Sequence, residues 1–216
     1  MKTILVATDF SDPANNAVDY AAHLAKQTGA ELILFNVFKL NIHASNSLAS
    51  NSSIEKLIDK NEDQLTELAE ELEEKYQIRA RWELRKNDAI DSLKEYMDSH
   101  SVDLVVMGIE SNLTEYKLFG NTTTAAIKLM QFPLLVVPND IHFEGIKKIM
   151  YACEASYLKA ESELPFLKQF VRSFNAQLDI FHVLTSDTES GRNEEMEQMI
   201  DKILHDVPHN FRYVNN

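Results

Sequence analysis

The sequence predicts an α/β protein with an open parallel sheet of five strands and helices on both faces, followed by a partial second copy. Two observations predict this fold. Short apolar runs alternate with segments of helical periodicity from Ile4 to Pro138, which is typical of parallel strands joined by right-handed crossovers. In addition, two stretches near the start of the chain recur about 145 residues later.

The first three elements are a strand, a helix and a strand. Ile4 to Ala7 form a short apolar run, and Ser11-Asp12-Pro13 supplies a capping residue and a proline suited to a first helical turn. Apolar residues then recur at spacings of three and four until Gly29, which predicts the end of the helix. Leu32 to Val37 predicts a strand that is buried on both faces.

A polar segment and a long helix follow. Asn41 to Ser53 is rich in Ser and Asn and predicts a loop. From Ile54 to Tyr76 apolar residues, Leu57 among them, recur with helical spacing. The opposite face is interpreted as solvated, with a metal or partner site as the alternative, and carries Glu67, Glu70, Glu71, Glu73 and Glu74.

The remaining patterns complete the five-stranded sheet. They predict strands at Arg79 to Leu84, Leu104 to Met107 and Leu134 to Val137, the second of them buried. They predict helices at Asp88 to Ser99 and Thr122 to Met130.

Part of this arrangement repeats after residue 140. Lys2 to Asp9 aligns with Lys147 to Glu154 at an offset of 145 residues, and Ala30 to Val37 aligns with Ala176 to Val183 at an offset of 146. The second copy is predicted to alternate three strands with helices over 161–174 and 193–205, and it lacks a counterpart of residues 88–137. We therefore predict a complete domain over 1–140 and a partial one over 145–216, shortened from a full tandem.

Composition argues against several classes of function. The 34 acidic and 21 basic residues give a net charge of −13, which argues against nucleic acid as a partner. The chain shows no secretory signal and no apolar run long enough to span a bilayer, so we expect a cytoplasmic protein without a membrane partner. We expect no metal site, because the histidines are scattered and Cys153 is the single cysteine. Cys153 is interpreted as a small strand-end residue, with a reactive thiol as the alternative.

Two segments could bind a ligand, because open parallel sheets bind ligands at the carboxyl ends of their strands. One is Ala7-Thr8-Asp9, whose carboxylate could accept hydrogen bonds from ribose hydroxyls or a base amino group. The other runs from Gly108 to Thr124, where glycine backbone and hydroxyls at a helix start suit phosphate. The structural alternatives are that Asp9 caps the first helix, that the glycines only shape a turn, and that Thr122 to Thr124 cap the next helix.

These residues resemble the universal stress protein family. Its members open with (P/A)-T-D-F-S, here Ala7 to Ser11, and a second strand ending in L-x-V, here Phe35 to Val37. They close with D-L-(I/V)-V-M-G, G-(S/N)-x-(T/A) and P-(V/L)-L-V-V-P, which match Asp103 to Gly108, Gly120 to Thr123 and Pro133 to Pro138. The resemblance implies a Rossmann-like fold of the adenine-nucleotide alpha hydrolase type and a non-enzymatic protein of the stress response.

The resemblance also implies a ligand, ATP with magnesium, and its site. Ala7, Thr8, Asp9 and Val37 would line the adenine and ribose side, and the phosphate side would be formed by Met107, Gly108, Ser111, Gly120, Asn121 and Thr122. The chain departs from the nucleotide-binding pattern G-x2-G-x9-G-(S/T): Ser111 replaces the second glycine, the gap before Gly120 is one residue short, and Asn121 takes the Ser/Thr place. A serine lacks the easy positive φ of glycine.

Three functions stay open at this point. The first is a non-enzymatic regulator that binds ATP or a related adenine nucleotide, and the second is a scaffold of the same family that binds no nucleotide. The third, an enzyme of the related α/β group, requires a phosphate loop that Ala7 to Ser11 does not provide. Family members pair through the last strand, so we expect a homodimer through Leu134 to Val137, or a pseudo-dimer in which residues 145–216 pack on the first domain.

Overall fold

The computed structural model describes residues 1–38, 51–86, 88–111, 122–129, 132–152, 160–184 and 190–215. These residues form two compact units, Met1–Phe143 and Glu144–Asn216. The strands of the first unit are β1 (Thr3–Ala7), β2 (Glu31–Val37), β3 (Arg79–Arg85), β4 (Leu104–Ile109) and β5 (Leu134–Pro138). Its helices are α1 (Asp12–Thr28), α2 (Asn51–Tyr76), α3 (Ala89–Ser99) and α4 (Thr122–Leu129).

The five strands form one parallel sheet in the order β3-β2-β1-β4-β5. The order reverses between β1 and β4, because the chain runs outward from β1 to β3 and then returns to the other side of β1. Such a reversal opens a crevice at the carboxyl ends of the two central strands. The predicted fold class and number of strands are confirmed.

Both faces of the sheet are covered. On one face, a buried cluster joins sheet residues to α3 and α4 and includes Leu5, Ile33, Leu93, Tyr96 and Ala126. The alternate residues Ile4, Val6, Leu32 and Leu34 have 0% exposure and point to the opposite face, where α1 contacts β1, β2 and β4.

Local signals set the helix boundaries. Ser11 is the extended residue before α1, Pro13 lies in its first turn, and Gly29 ends it in the left-handed region at φ 71°. Asp88, predicted as the first residue of a helix, precedes α3, and its side chain accepts hydrogen bonds from the backbone N–H groups of Ile90 and Asp91.

Two details of the long helix differ from the sequence prediction. Helix α2 begins at Asn51, three residues before Ile54, while the rest of the predicted loop lies outside the described residues. Leu57 is 41% exposed rather than part of the core, because periodicity alone does not show how far a helix remains in contact with the sheet. The five glutamates on its outer face are exposed as predicted.

The second unit is a smaller parallel α/β arrangement. Its sheet has the order β6-β7-β8, formed by Lys148–Ala152, Gln177–Leu184 and His209–Asn215. The helices are α5 (Ala160–Phe174) and α6 (Ser190–Ile203). They supply the buried Leu164, Val171, Met196 and Ile200 to a core with Leu178 and Ile180. Cys153 lies outside the described residues.

Strand register in the two units follows the sequence repeat. Thr3 is opposite Glu31 in the pair β1 and β2, and Lys148 is opposite Gln177 in the pair β6 and β7. The residues of the second pair lie 145 and 146 positions after those of the first, which are the two offsets of the repeat.

Within the described ranges, none of the helices is both long enough and apolar enough to cross a membrane.

Candidate functional site

A cavity of about 300 Å³ lies at the carboxyl ends of β1, β2 and β4, at the point where the strand order reverses. Six elements provide its walls: the ends of β1, β2 and β4, with the turn that follows β1, the start of α1, the first turns of α3 and the start of α4. The lining residues are Ala7, Thr8, Asp9, Ser11, Pro13, Ala14, Phe35, Val37, Ala89, Leu93, Met107, Gly108, Thr122 and Thr123.

Most residues that the sequence analysis proposed for the site line this cavity. The structure brings together Ala7, Thr8, Asp9, Val37, Met107, Gly108 and Thr122. Ser111 is not among the described lining residues, and its hydroxyl instead shares its one proton between two acceptors, Asn139 Oδ1 at 2.6 Å and the Asp140 carboxylate. Gly120 and Asn121 lie outside the described residues.

Six further lining residues were missed from the sequence. Ala89 and Leu93 lie four positions apart on α3, so helical spacing places both on the side that faces the strand ends. Phe35 lies two residues before Val37, and the alternation of a strand gives both the same face. The others are Ser11, Pro13 and Ala14, while Thr123, which also lines the cavity, belongs to the candidate segment from Gly108 to Thr124.

The turn between β1 and α1 is fixed by buried polar contacts. Thr8 is 5% exposed, its backbone N–H donates to Phe35 O at 2.9 Å, and its carbonyl accepts from Asn36 Nδ2 at 2.7 Å. Its hydroxyl oxygen accepts from the N–H of Phe10, whose φ of 62° lies in the left-handed region. These contacts give Asp9, between Thr8 and Phe10, a defined backbone position at the mouth of the cavity.

Asp9 does not cap α1. Its Oδ1 accepts from the hydroxyl of Ser11 at 2.6 Å and from the N–H of Ser11 at 3.1 Å, and Ser11 itself precedes the helix. The Asp9 side chain is exposed and lines the cavity. Its carboxylate can therefore accept hydrogen bonds from a ligand.

Gly108 is required by packing. A Cβ atom at this position would lie 2.1 Å from the carbonyl oxygen of Pro13 and 2.9 Å from the backbone nitrogen of Ala14. Only glycine lets the start of α1 approach the end of β4 this closely. The structural interpretation of this glycine is therefore sufficient to explain it, although its backbone also lines the cavity.

Thr123 links the start of α4 to β4 through a hydrogen bond. Its side-chain hydroxyl donates to the carbonyl oxygen of Gly108 at 2.9 Å, and the residue is 7% exposed. This contact differs from the predicted capping role, in which a hydroxyl accepts from a helical N–H group.

The lining combines apolar walls with one carboxylate. Ala7, Val37, Leu93 and Met107 present aliphatic and thioether groups, and Asp9 is the one charged side chain among the described lining residues. Such a cavity can enclose a flat, mostly apolar ring and accept hydrogen bonds from hydroxyl or amino groups at one end.

The fold and this cavity define a doubly wound α/β protein with a cavity at its switch point. The chain belongs to the universal stress protein family, whose sequence profile matches residues 1–138. No curated protein matches the chain significantly in sequence.

Solved structures of the family share the fold. A universal stress protein from Archaeoglobus fulgidus DSM 4304 aligns over 99% of this chain and 78% of its own, with a TM-score of 0.76 and 18% identity. Universal stress protein UspA from Lactobacillus plantarum aligns over 63% of this chain and 97% of its own, with a TM-score of 0.51 and 18% identity. At this level of identity, both matches describe the fold alone.

Proposed function

We propose that this chain is a non-enzymatic regulatory protein of the stress response that binds an adenine nucleotide or nucleoside. The observation that carries the proposal is the cavity at the carboxyl ends of β1, β2 and β4, with apolar walls and Asp9 at its mouth. Its volume of about 300 Å³ suits a small ligand. The purine ring packs against Val37, Leu93 and Met107, and Asp9 accepts hydrogen bonds from the ribose hydroxyls.

The proposal assigns binding rather than turnover to the site. Phosphoryl transfer relies on cationic groups that stabilise the developing charge and on a residue that positions the nucleophile. In the described part of the cavity lining, neither a lysine, an arginine nor a histidine is present. The expected consequence of binding is a change in the surface around the cavity, which a partner protein would recognise.

Calorimetric titration with adenosine, AMP and ATP, each with and without magnesium, tests the proposal. Substitution Ala89→Leu fills the cavity from the first residue of α3 and is expected to weaken binding at least tenfold. The matched control is Ala152→Leu, at an exposed position of β6 in the second unit. The absence of binding by every adenine compound at millimolar concentration would remove the proposed function.

A specific observation favours a second role as a dimeric scaffold. Strand β5 is at the edge of the sheet and pairs with β4. The N–H of Asn139 donates to Ile109 O of β4, so alternation directs the N–H groups of Leu134 and Val136 toward the open edge. Such an edge is a template for pairing, and we propose that two copies of the chain pair through it.

Light scattering on Val136→Pro tests the scaffold role. Proline at this position removes an outward N–H group and leaves the N–H groups that pair with β4, so we expect a monomer where the parent chain is a dimer. A parent chain that is monomeric at high micromolar concentration would contradict the pairing.

We also propose that residues 145–216 are a partial second copy of the domain. The shared register of β1 with β2 and of β6 with β7 supports this origin. Corresponding hydrogen bonds agree as well, since the N–H of Glu31 donates to Lys2 O at 2.8 Å and the N–H of Gln177 donates to Lys147 O at 2.9 Å.

A further inference from the structure

We infer that the cavity takes an adenine nucleoside in preference to ATP, because the strand ends beside it do not fit a triphosphate. The inference rests on the proposed function and narrows its ligand. The residues expected on the adenine and ribose side line the cavity, whereas the described residues that follow β4 and β5 do not suit phosphate.

The first observation is that the donors of Ser111 are already used. Ser111 stands where the nucleotide-binding pattern has its second glycine. Its N–H donates to Asn139 Oδ1 at 3.1 Å, and its hydroxyl shares its one proton between the same oxygen at 2.6 Å and the carboxylate of Asp140. A phosphate at this position would have to displace acceptors that belong to the chain itself.

The second observation is that Asn139 is held in this orientation. Its backbone N–H donates to Ile109 O at 2.9 Å, and its Nδ2 donates to Glu110 Oε2 at 2.9 Å. With its amide nitrogen on Glu110, the amide oxygen of Asn139 faces Ser111. The network from Glu110 through Asn139 and Ser111 to Asp140 therefore presents acceptors, and phosphate oxygens need donors.

The third observation concerns charge. Asp9 lines the cavity, and Glu110 and Asp140 carry two further carboxylates at the ends of β4 and β5. These carboxylates have the same sign of charge as a phosphate group and disfavour it, and the net charge of −13 adds a long-range field of the same sign. The hydroxyl of Thr123, another donor beside the cavity, is already bonded to Gly108 O.

None of these three observations disfavours adenosine. It is uncharged, its ring suits the apolar walls, and its ribose hydroxyls are donors for the Asp9 carboxylate. The order of affinity expected from this geometry is adenosine, then AMP, then ATP, which is the reverse of the order for a site built around phosphates.

The experiment is a calorimetric titration of the full chain with adenosine, AMP and ATP, without and with magnesium. We expect adenosine to bind at least tenfold more tightly than ATP under both conditions. The double variant Glu110→Gln, Asp140→Asn removes two carboxylates outside the cavity lining. It should reduce the ratio of adenosine affinity to ATP affinity severalfold and leave the adenosine affinity unchanged. The matched control is the double variant Asp59→Asn, Glu70→Gln, at exposed positions of α2, which should leave the ratio of adenosine affinity to ATP affinity unchanged.

The possible outcomes distinguish a failure of the preference for adenosine from a failure of the proposed function. ATP that binds as tightly as adenosine, or more tightly, would overturn this inference and leave the proposed function in place. If the variant Glu110→Gln, Asp140→Asn has the same ratio of adenosine affinity to ATP affinity as the parent chain, repulsion by these two carboxylates does not explain the preference. Failure of all three compounds to bind would overturn the proposed function and this inference together. Thermal unfolding of each variant verifies that it is folded.

Discussion

Gly108 and Pro13 are in such close contact that a Cβ atom on Gly108 would lie 2.1 Å from the carbonyl oxygen of Pro13. The two residues lie at the end of β4 and in the first turn of α1. Both also line the cavity at the carboxyl ends of the strands. The packing of α1 on β4 therefore determines the shape of the site.

Substitution Gly108→Ala should destabilise the first unit by about 2 kcal/mol or more, because the added methyl group overlaps backbone atoms that cannot rotate away. The matched control is Gly29→Ala, where a Cβ meets nothing within 4 Å and the cost of about 1 kcal/mol comes from the positive φ alone. Urea unfolding followed by the fluorescence of Trp82 in β3, the single tryptophan, reports on this unit. Equal midpoints for the parent chain and Gly108→Ala would contradict the contact.

Substitution Asp9→Asn should weaken adenosine binding about tenfold, since a hydrogen bond to a charged acceptor is stronger than one to an amide oxygen. Oδ1 would remain available to Ser11, which keeps the turn in place. Calorimetry with adenosine and 2′-deoxyadenosine measures the effect, and the loss should be smaller for the deoxy compound. Asp12→Asn, at an exposed residue outside the described lining, is the control. An equal loss with both ligands would place the 2′-hydroxyl away from Asp9.

The Asp19 carboxylate should make the first unit depend on pH. Burial opposes its ionisation, but hydrogen bonds from the hydroxyl of Tyr76 and from Lys75 Nζ at 3.1 Å outweigh burial and lower the pKa of Asp19. A lowered native pKa adds stability above the ordinary value of about 3.9, and this stability is lost as the pH falls through the native pKa.

Substitution Asp19→Asn is expected to destabilise the unit by only about 0.5 kcal/mol at pH 7, because the Asp19 side chain is 44% exposed. The difference should shrink as the pH falls below about 4. Urea midpoints of the parent chain and the variant at pH 7 and at low pH check the prediction, with Asp63→Asn, at an exposed site on α2, as the control. A constant difference at both pH values would exclude the carboxylate as its source.

In the second unit, Asp179 has the register position that Ile33 has in the first, because it pairs with Met150 as Ile33 pairs with Leu5. Its side chain is 2% exposed and lies 2.8 Å from Lys148 Nζ, and the hydrogen bond from Lys148 lowers the pKa of Asp179. Lys148→Met should raise that pKa toward its ordinary value. Titration of the carboxyl carbon by NMR measures it, and Lys147→Met is the neighbouring control. An unchanged titration curve of Asp179 would show that Lys148 does not stabilise its ionised carboxylate.

Local signals made most of the first unit predictable. Pro13 and Gly29 mark the first helix, and the apolar runs of β1, β2 and β4 are long enough to identify buried strands. Contacts between distant residues were not predictable in this way. The sequence indicates that Gly108 is special, but the reason is Pro13, which lies far away along the chain and close in space.

The same limit applies to the site. Ser111 was proposed as part of a phosphate loop from its place in a motif, yet its partner is Asn139, which lies beyond β5. A motif shows which residue type is replaced, and it does not show which side chain accepts the new hydrogen bond. Likewise, Leu57 follows the helical pattern and is 41% exposed.

The most direct test of the central claim is NMR of the seven methionine methyl groups during titration with adenosine. Met107 lines the cavity, whereas Met150 on β6 is 65% exposed and Met196 is buried in the core of the second unit. We expect a saturable shift of the Met107 methyl signal with the Met150 and Met196 signals unchanged. A titration in which Met107 does not move, or in which Met196 moves in its place, would contradict it.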